Sequence, residues 1–470
     1  MSELWEHQKK AVELASQSQD GFAFFFDPGT GKTRTTIECL RYEYNKQKRI
    51  VPTLILCPVI VVKNWKDEFK KFSKVEPKRI LALHGPVARR ITEFESAVAK
   101  YGNEFICITN YDALVREAFF EKLQQFGAEV LIFDESHKIK THNSKRTKMS
   151  HKLADISKKR FLLSGTPILN TPMDVWSQYR ALDLGKRFGK SFWSFKNMYF
   201  YDANKNTRAT FPNWQPNKLL FGKMNELIYE VAMRQEKSKC LDLPPLMQIS
   251  MKVGMKPDQK KHYLSMKKDF ITFLDENEDN ASVAQLAVTK SIRLRQILSG
   301  FVKTEDGKVH FLKKTEKEEA LEELLEEHRG RKVIIWAVFK AEYEIIRRVL
   351  DKLKLKFVEA TGEVSSTKKY EAVEKFSTSS DTNVFVGHPA SLGIGINLTV
   401  SDVAIYFSRD WSLEQREQSQ ARNYRGGSEV HKTITHYDIV VEDSIDEHIL
   451  ESLKDKKSLS ETILKLRREL

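Results

Sequence analysis

The sequence predicts an α/β protein: two parallel-sheet halves joined by a partly helical middle region. Short apolar runs of strand length alternate with segments of helical spacing on both sides of residue 243, as helix-covered parallel sheets require. A chain of 470 residues is long for a single core. Polar clusters follow directly after apolar runs, where open α/β sheets place their ligands.

Hydrophobic residues make up 41% and charged residues 30%, a globular composition that excludes a fibrous repeat or wholesale disorder. The longest apolar run, Val51 to Val62, is interrupted by Pro52 and Pro58 and is too short to span a bilayer. Met1 to Gln19 is polar and amphipathic, unlike a signal peptide, so a soluble, intracellular protein without a membrane partner is expected. The net charge of +14 favours a polyanionic partner, most simply nucleic acid; a lysine-rich surface serving solubility is the alternative. Cys39, Cys57, Cys107 and Cys240 lie far apart and read as structural thiols rather than zinc ligands or disulfides.

In order along the chain, Leu4 to Leu14 reads as an amphipathic helix and Phe22 to Phe26 as a buried strand. Thr33 to Asn45 then carries helical spacing. Thr53 to Cys57 is a strand, and Val62, Trp65, Phe69 and Phe72 mark the helix after it. Arg79 to His84, Phe105 to Thr109, Val130 to Phe133 and Phe161 to Leu163 are further strands, with helices over Ile91 to Ala99 and Ala113 to Phe126. The pattern loosens from Asp183, which places a surface excursion at about 183–230 within a first domain of 1–235. Leu243-Pro244-Pro245 reads as a linker. The second domain, 236–470, carries a helical insertion at about 256–328 and strands at Lys332 to Trp336, Lys356 to Glu359, Thr382 to Val386, Val403 to Phe407 and Thr433 to Val440.

Three constellations carry chemistry. Gly29, Thr30, Gly31, Lys32 and Thr33 sit between a strand and a helix, where backbone N–H groups favour anions and glycines let phosphate approach. Lys32 suits the β/γ-phosphates and Thr33 magnesium, although the strict phosphate-loop pattern wants a glycine where Phe26 stands, and an ordinary helix start has the same residues. Asp134 and Glu135 follow a buried strand and offer one carboxylate for magnesium and one for the attacking water; a helix cap accounts for either alone. Arg422 and Arg425, spaced to share a helix face, suit either a transferring phosphoryl group or a solvated pair.

The order of these motifs resembles that of superfamily two helicases, most closely the Swi/Snf-type DNA translocase branch. Leu4-Trp5-Glu6-His7-Gln8 is similar to the leading glutamine motif, which implies adenine recognition by Gln8. Asp27 to Thr33 resembles that branch's own phosphate loop and accounts for Phe26. The resemblance implies DNA-binding or coupling roles for Pro58, Asn64 and Trp65, for Thr109, Asn110 and Tyr111, for His137 of the Asp134 to His137 box, and for Ser164, Gly165 and Thr166. It extends through Met233 to Lys237 to Gly393 to Leu398, with Gly395 at the nucleotide and Asn397 at DNA, then to Trp411 and to Gln418 to Gly427 with Arg422 and Arg425 as arginine fingers. Ser412-Leu413, Ala421 and Ser428 depart from the family pattern.

The implied protein has two RecA-like domains, binds ATP and Mg2+, and acts as a monomer on duplex, forked or four-way DNA with little sequence preference. It resembles the minimal phage and bacterial forms of replication, recombination and repair, without chromatin-binding extensions, and belongs in bacterial or phage-infected cytoplasm. An RNA-directed helicase and a catalytically silent nucleic-acid clamp are the alternatives. Trp214, Phe211 and the lysines near Lys260 are candidates for an extra DNA contact or wedge, against a bland reading as surface and local core.

Overall fold

The computed structural model describes residues 3–165, 172–205, 212–239, 243–276, 281–304, 307–362, 364–390 and 396–455. The chain forms two compact units, Met1–Leu241 and Asp242–Leu470. Each is built on a parallel sheet, as the alternation of apolar runs predicts.

In the first unit the chain runs α1 (Glu6–Gln17), β1 (Gly21–Phe26), α2 (Lys32–Gln47), β2 (Thr53–Cys57), α3 (Val62–Phe72), β3 (Ile80–Ala82), α4 (Val87–Tyr101), β4 (Ile106–Asn110), α5 (Glu117–Phe126), β5 (Val130–Asp134), α6 (Lys145–Ile156) and β6 (Lys159–Leu163). It continues through α7 (Asp174–Asp183), α8 (Phe192–Tyr199), the hairpin β7 (Phe200–Asp202) and β8 (Trp214–Pro216), α9 (Lys218–Tyr229) and β9 (Ala232–Gln235). Seven strands pair in the order β3-β4-β2-β5-β6-β1-β9. All these pairings are parallel, so helices must cover both faces and the strands can be apolar throughout. Every residue of β1, β2, β4 and β5 is buried. Phe94, Phe105, Phe119 and Phe126 close one face, with the Phe105 and Phe126 rings 4.7 Å apart.

Register decides where the polar strand ends meet. Phe24 pairs with Leu163, and Leu163 pairs with Asp134. The carboxyl ends of β1, β6 and β5 therefore finish side by side, which brings the glycine loop, Ser164-Gly165 and Asp134-Glu135 to one edge of the sheet.

The second unit runs β10 (Leu246–Val253), α10 (Pro257–Glu276), α11 (Ala281–Leu298), the hairpin β11 (Phe301–Lys303) and β12 (Val309–Phe311), α12 (Glu316–Glu327) and β13 (Val333–Trp336). It ends with α13 (Lys340–Lys352), β14 (Phe357–Ala360), α14 (Ser366–Thr378), β15 (Val384–Gly387), β16 (Val403–Tyr406), α15 (Leu413–Gln420), β17 (Ile434–Val441) and α16 (Ile445–Asp455). Its six strands pair in the order β10-β17-β16-β13-β15-β14, again in parallel. Among the described residues no helix is long and apolar enough to cross a membrane.

The sequence reading needs three corrections. The loosened stretch after Asp183 holds two helices, a hairpin and a sheet strand, and its aromatics Phe188, Phe195, Tyr199 and Phe200 are buried in the core of the first unit. Helical spacing was masked there because neighbouring elements are short and share aromatics. Leu243-Pro244-Pro245 stands where the two units divide, as a linker does, but the strand after it was missed: in β10, Ile249, Met251 and Val253 alternate with Gln248, Ser250 and Lys252 as an edge strand with one covered face does. The helix expected from Ala113 begins only at Glu117, after a 3-10 turn at Tyr111–Val115.

Gly21 is required by packing: an added Cβ would stand 2.0 Å from the Arg160 carbonyl oxygen on β6. Gly21→Ala is expected to destabilise the first unit by about 1–3 kcal/mol, read as a lower denaturation midpoint; an unchanged midpoint would contradict this packing.

Candidate active site

The loop after β1 is shaped by two glycines in conformations closed to other residues, Gly29 at φ +89° and Gly31 at φ +85°. Two neighbours hold it. From α1, His7 Nε2 donates to the Thr30 carbonyl at 2.9 Å, and Gln8 Nε2 faces the Gly31 carbonyl at 3.5 Å while its Oε1 accepts from the Trp5 N–H at 3.0 Å. A Cβ on Gly31 would lie 2.1 Å from Gln8 Nε2. From β9, Arg234 donates to Asp27 Oδ1 at 2.8 Å and to the Gly165 carbonyl at 2.5 Å, and the Lys237 N–H donates to Asp27 Oδ2 at 3.0 Å. Lys32, at the first turn of α2, sets its ammonium 2.7 Å from the Phe26 carbonyl. Thr33 is half-buried beside it.

Two strands away, Asp134 is buried at the end of β5. Its Oδ2 accepts from the Trp65 indole N–H at 2.8 Å, and its backbone carbonyl accepts from the Tyr111 hydroxyl at 2.8 Å. Burial, with the Glu135 charge beside it, pushes the Asp134 carboxyl well above the usual carboxylate range; the Trp65 hydrogen bond and the Lys32 charge oppose that rise. Burial likewise pushes the Tyr111 phenol up, so it remains a donor. Glu135 takes the left-handed conformation, φ +53°, which is costly for a residue with a side chain. Its Oε2 lies 3.3 Å from His137 Nδ1. The Ser136 hydroxyl donates to Gln178 of α7 at 2.6 Å, fixing the corner from below.

The remaining expected residues divide between this edge and elsewhere. Ser164 and Gly165 are buried at the end of β6, and Gly165 leaves 3.1 Å between its absent Cβ and Pro28 of the loop. Trp65, expected at DNA, is fully enclosed and serves Asp134 instead. Thr109, Asn110 and Tyr111 are also buried: Arg90 donates to the Thr109 hydroxyl at 3.3 Å and to Asn110 Oδ1 at 2.7 Å. These side chains brace the strand ends rather than present a surface. Pro58 and Asn64 are half-buried. Trp214 is half-buried against the core with the Lys196 ammonium 3.6 Å over its ring, which removes it as a projecting wedge. Thr166, Phe211 and Gly395 lie outside the described residues.

In the second unit, α15 ends at Gln420, so Arg422 and Arg425 lie on the turns after it and not on a shared helix face. Asn423 fixes those turns: its Nδ2 donates to the Ser401 carbonyl at 3.2 Å and its Oδ1 accepts from His436 of β17 at 3.0 Å. Arg422 is buried and Arg425 half-buried. Below them, Asp438 accepts from Arg416 at 2.6 and 2.8 Å and from Arg409 at 3.0 Å, and these two cations hold its carboxyl below the usual range. Gln418 is half-buried and Asn397 exposed, while Trp411 packs on the α10–α11 side with its indole N–H 3.3 Å from the Ser291 hydroxyl.

Residues 7–300 match the SNF2-related domain and residues 316–427 the helicase conserved C-terminal domain. The chain belongs to the SNF2 family. An uncharacterized ATP-dependent helicase of Mycoplasma genitalium is 25% identical over 98% of the chain, and the p41 protein of Acyrthosiphon pisum secondary endosymbiont phage 1 is 26% identical over 93%. The chain spans 42% of the mycoplasmal relative's length and 92% of the phage protein's. The Sulfolobus solfataricus SWI2/SNF2 ATPase core in complex with dsDNA is 24% identical, with a TM-score of 0.45 over 97% of this chain and 91% of that one.

Within this SNF2 chain, Thr33 and Asp134 are oxygen donors of the type magnesium prefers. Among the described residues no three His, Cys, Asp or Glu side chains gather as a metal site. Reading the sequence missed the Arg234 clamp on Asp27, the His7 contact to Thr30, and Gln178. Only the strand pairing of β9 with β1 brings Arg234 to the loop.

Trp65→Phe keeps an aromatic ring, removes the indole N–H on Asp134 and leaves a small cavity at this fully enclosed position. ATP turnover of the folded variant is expected to fall about tenfold or more, beyond the lowered thermal midpoint that the cavity causes; full turnover would show that the hydrogen bond does not position Asp134.

Proposed function

We propose that this SNF2 chain is an ATP-driven DNA translocase or helicase that works on duplex and branched DNA, in fork remodelling, branch migration, recombination or repair. The observation that carries this reading is the buried Asp134–Glu135 pair beside the glycine loop, with the Lys32 charge acting on it. Two adjacent buried carboxylates are costly unless the site uses them.

In this reading the N–H groups at the start of α2 and Lys32 bind the phosphates. Lys32 gives up its loop carbonyl for the β/γ-phosphates. Thr33 and Asp134 hold magnesium, which supplies charge neutralisation when bound. Trp65 and Tyr111 keep Asp134 oriented. Glu135, fixed by its left-handed backbone and by His137, orients the attacking water and accepts its proton. Gln8 reads the adenine, Gly395 also serves the nucleotide, and Arg422 and Arg425 stabilise charge on the transferring phosphoryl group. Ser164, Gly165 and Thr166 couple the reaction to movement, while Asn397, Trp411 and Gln418 contact DNA. Contacts of this kind go to the phosphate backbone, so binding is largely indifferent to sequence and weakens with salt. The net charge of +14 supports that partner, and the chain acts as an intracellular monomer.

The test is to compare ATP turnover and strand separation on single-stranded, duplex, forked and four-way DNA and on RNA. Stimulation by duplex or branched DNA is expected; stimulation by RNA alone would overturn the DNA assignment. Lys32→Ala is expected to abolish turnover while salt-sensitive DNA binding persists, and undiminished turnover would remove the loop assignment. Arg425→Ala should bind ATP yet hydrolyse it about a thousandfold more slowly; a normal hydrolysis rate excludes the arginine from the reaction.

A further inference from the structure

Trp193 on α8 is 62% exposed although the aromatic residues around it are covered. It is not a loosely placed ring. Phe192 next to it stacks on His142 at 3.7 Å and meets Trp176 edge-on at 5.5 Å, so the base of α8 is locked to the segment that follows the Asp134–His137 corner. His142 lies 6.2 Å from the Trp193 ring, and the Lys196 ammonium lies 5.1 Å from it. A largely exposed indole is thus held on a rigid support with a cation over its ring.

Positive charge is in excess around this ring. Residues 138–148 and 186–196, which meet at this stack, carry nine Lys and Arg and no carboxylate; Lys140, Arg146, Lys186 and Arg187 are ion-paired to Asp174, Asp112, Asp20 and Asp183, which leaves Lys138, Lys145, Lys148, Lys190 and Lys196. Burial together with Lys148 and Lys196 depresses the proton affinity of His142, so its ring sits in the stack uncharged while the lysines around it carry the positive field. Lys145, Lys148 and Lys190 are exposed. A protein partner offering an apolar pocket would have to accommodate the remaining lysines, whereas a nucleic-acid strand supplies phosphates for them and a base for the indole.

We propose that Trp193 is a stacking platform for an unpaired base of single-stranded DNA, with Lys196, Lys148 and Lys190 following its backbone. A closed duplex keeps its base faces inside the stack and can use only the lysines. An exposed single-stranded arm can use both. The inference rests on the reading of this chain as a motor on branched DNA and adds the feature of the branch that is recognised, namely the unpaired bases of its arm.

The experiment measures equilibrium binding of the whole chain, without ATP, to three labelled DNAs: a blunt duplex, the same duplex with a single-stranded arm, and the same arm made of abasic nucleotides. The intact arm is expected to tighten binding and the abasic arm to lose most of that gain. Trp193→Ala should weaken binding of the armed DNA about tenfold, with the blunt duplex unaffected, and Trp193→Phe should restore most of the loss. Equal affinity of Trp193→Ala and the unaltered chain for the armed DNA overturns the proposal, as does an equal loss on the blunt duplex. ATP turnover with blunt duplex is followed separately in the unaltered chain. Its absence removes the motor reading, while the abasic comparison still decides the role of Trp193.

Discussion

A carboxylate taken out of water beside a second carboxylate is the constraint on which the first unit is arranged. Asp134 sits at the end of a fully buried strand, and neither solvent nor an ion pair to a neighbouring arginine relieves it. The relief is the indole N–H from Trp65, the field of Lys32 and the backbone N–H of Glu135. These groups favour the charged form, which ties α3 to the loop that opens α2. The same demand explains why Trp65 is enclosed and why Tyr111 holds the backbone of the residue it serves.

The glycine loop faces the complementary problem. Gly29 and Gly31 give it a shape open to phosphate, with little internal support beyond the Thr30 hydroxyl on the Asp27 carbonyl and the Lys32 ammonium on that of Phe26. Support comes from outside, from His7 and Gln8 on one side and Arg234 on the other. Arg234 also holds the Gly165 carbonyl, so the loop and the end of β6 move as one piece if they move at all. In the second unit, a buried cluster of Arg409, Arg416 and Asp438 plays the equivalent part under the Arg422 to Arg425 turns. Such a cluster adds little net stability but penalises any arrangement that breaks it.

Much of this was legible before any coordinates. The buried strand ending in Asp-Glu, the strand-loop-helix around Lys32 and the strands of both sheets follow from apolar runs and their polar ends. What escaped depends on contacts between residues far apart in sequence. β9 is four residues long and carries an arginine, so it has no strand signature until it is paired with β1. Trp65 read as a surface contact because its place in a helical motif says nothing about the N–H it offers across two strands. Arg422 and Arg425 satisfy helical spacing, yet Asn423 between them bonds to Ser401 and His436 and turns the chain out of the helix. The α8–α9 region hid its helices because its aromatics belong to one core drawn from several short elements.

The central claim is that the edge formed by β1, β6 and β5 hydrolyses ATP in response to DNA. The direct measurement is steady-state ATP turnover of the purified chain and of its Glu135→Gln variant, each with and without blunt duplex DNA. The account predicts turnover that rises with duplex in the unaltered chain and is nearly absent in the variant under both conditions, while the variant still binds nucleotide. Turnover indifferent to DNA, or a variant as active as the parent, would contradict it.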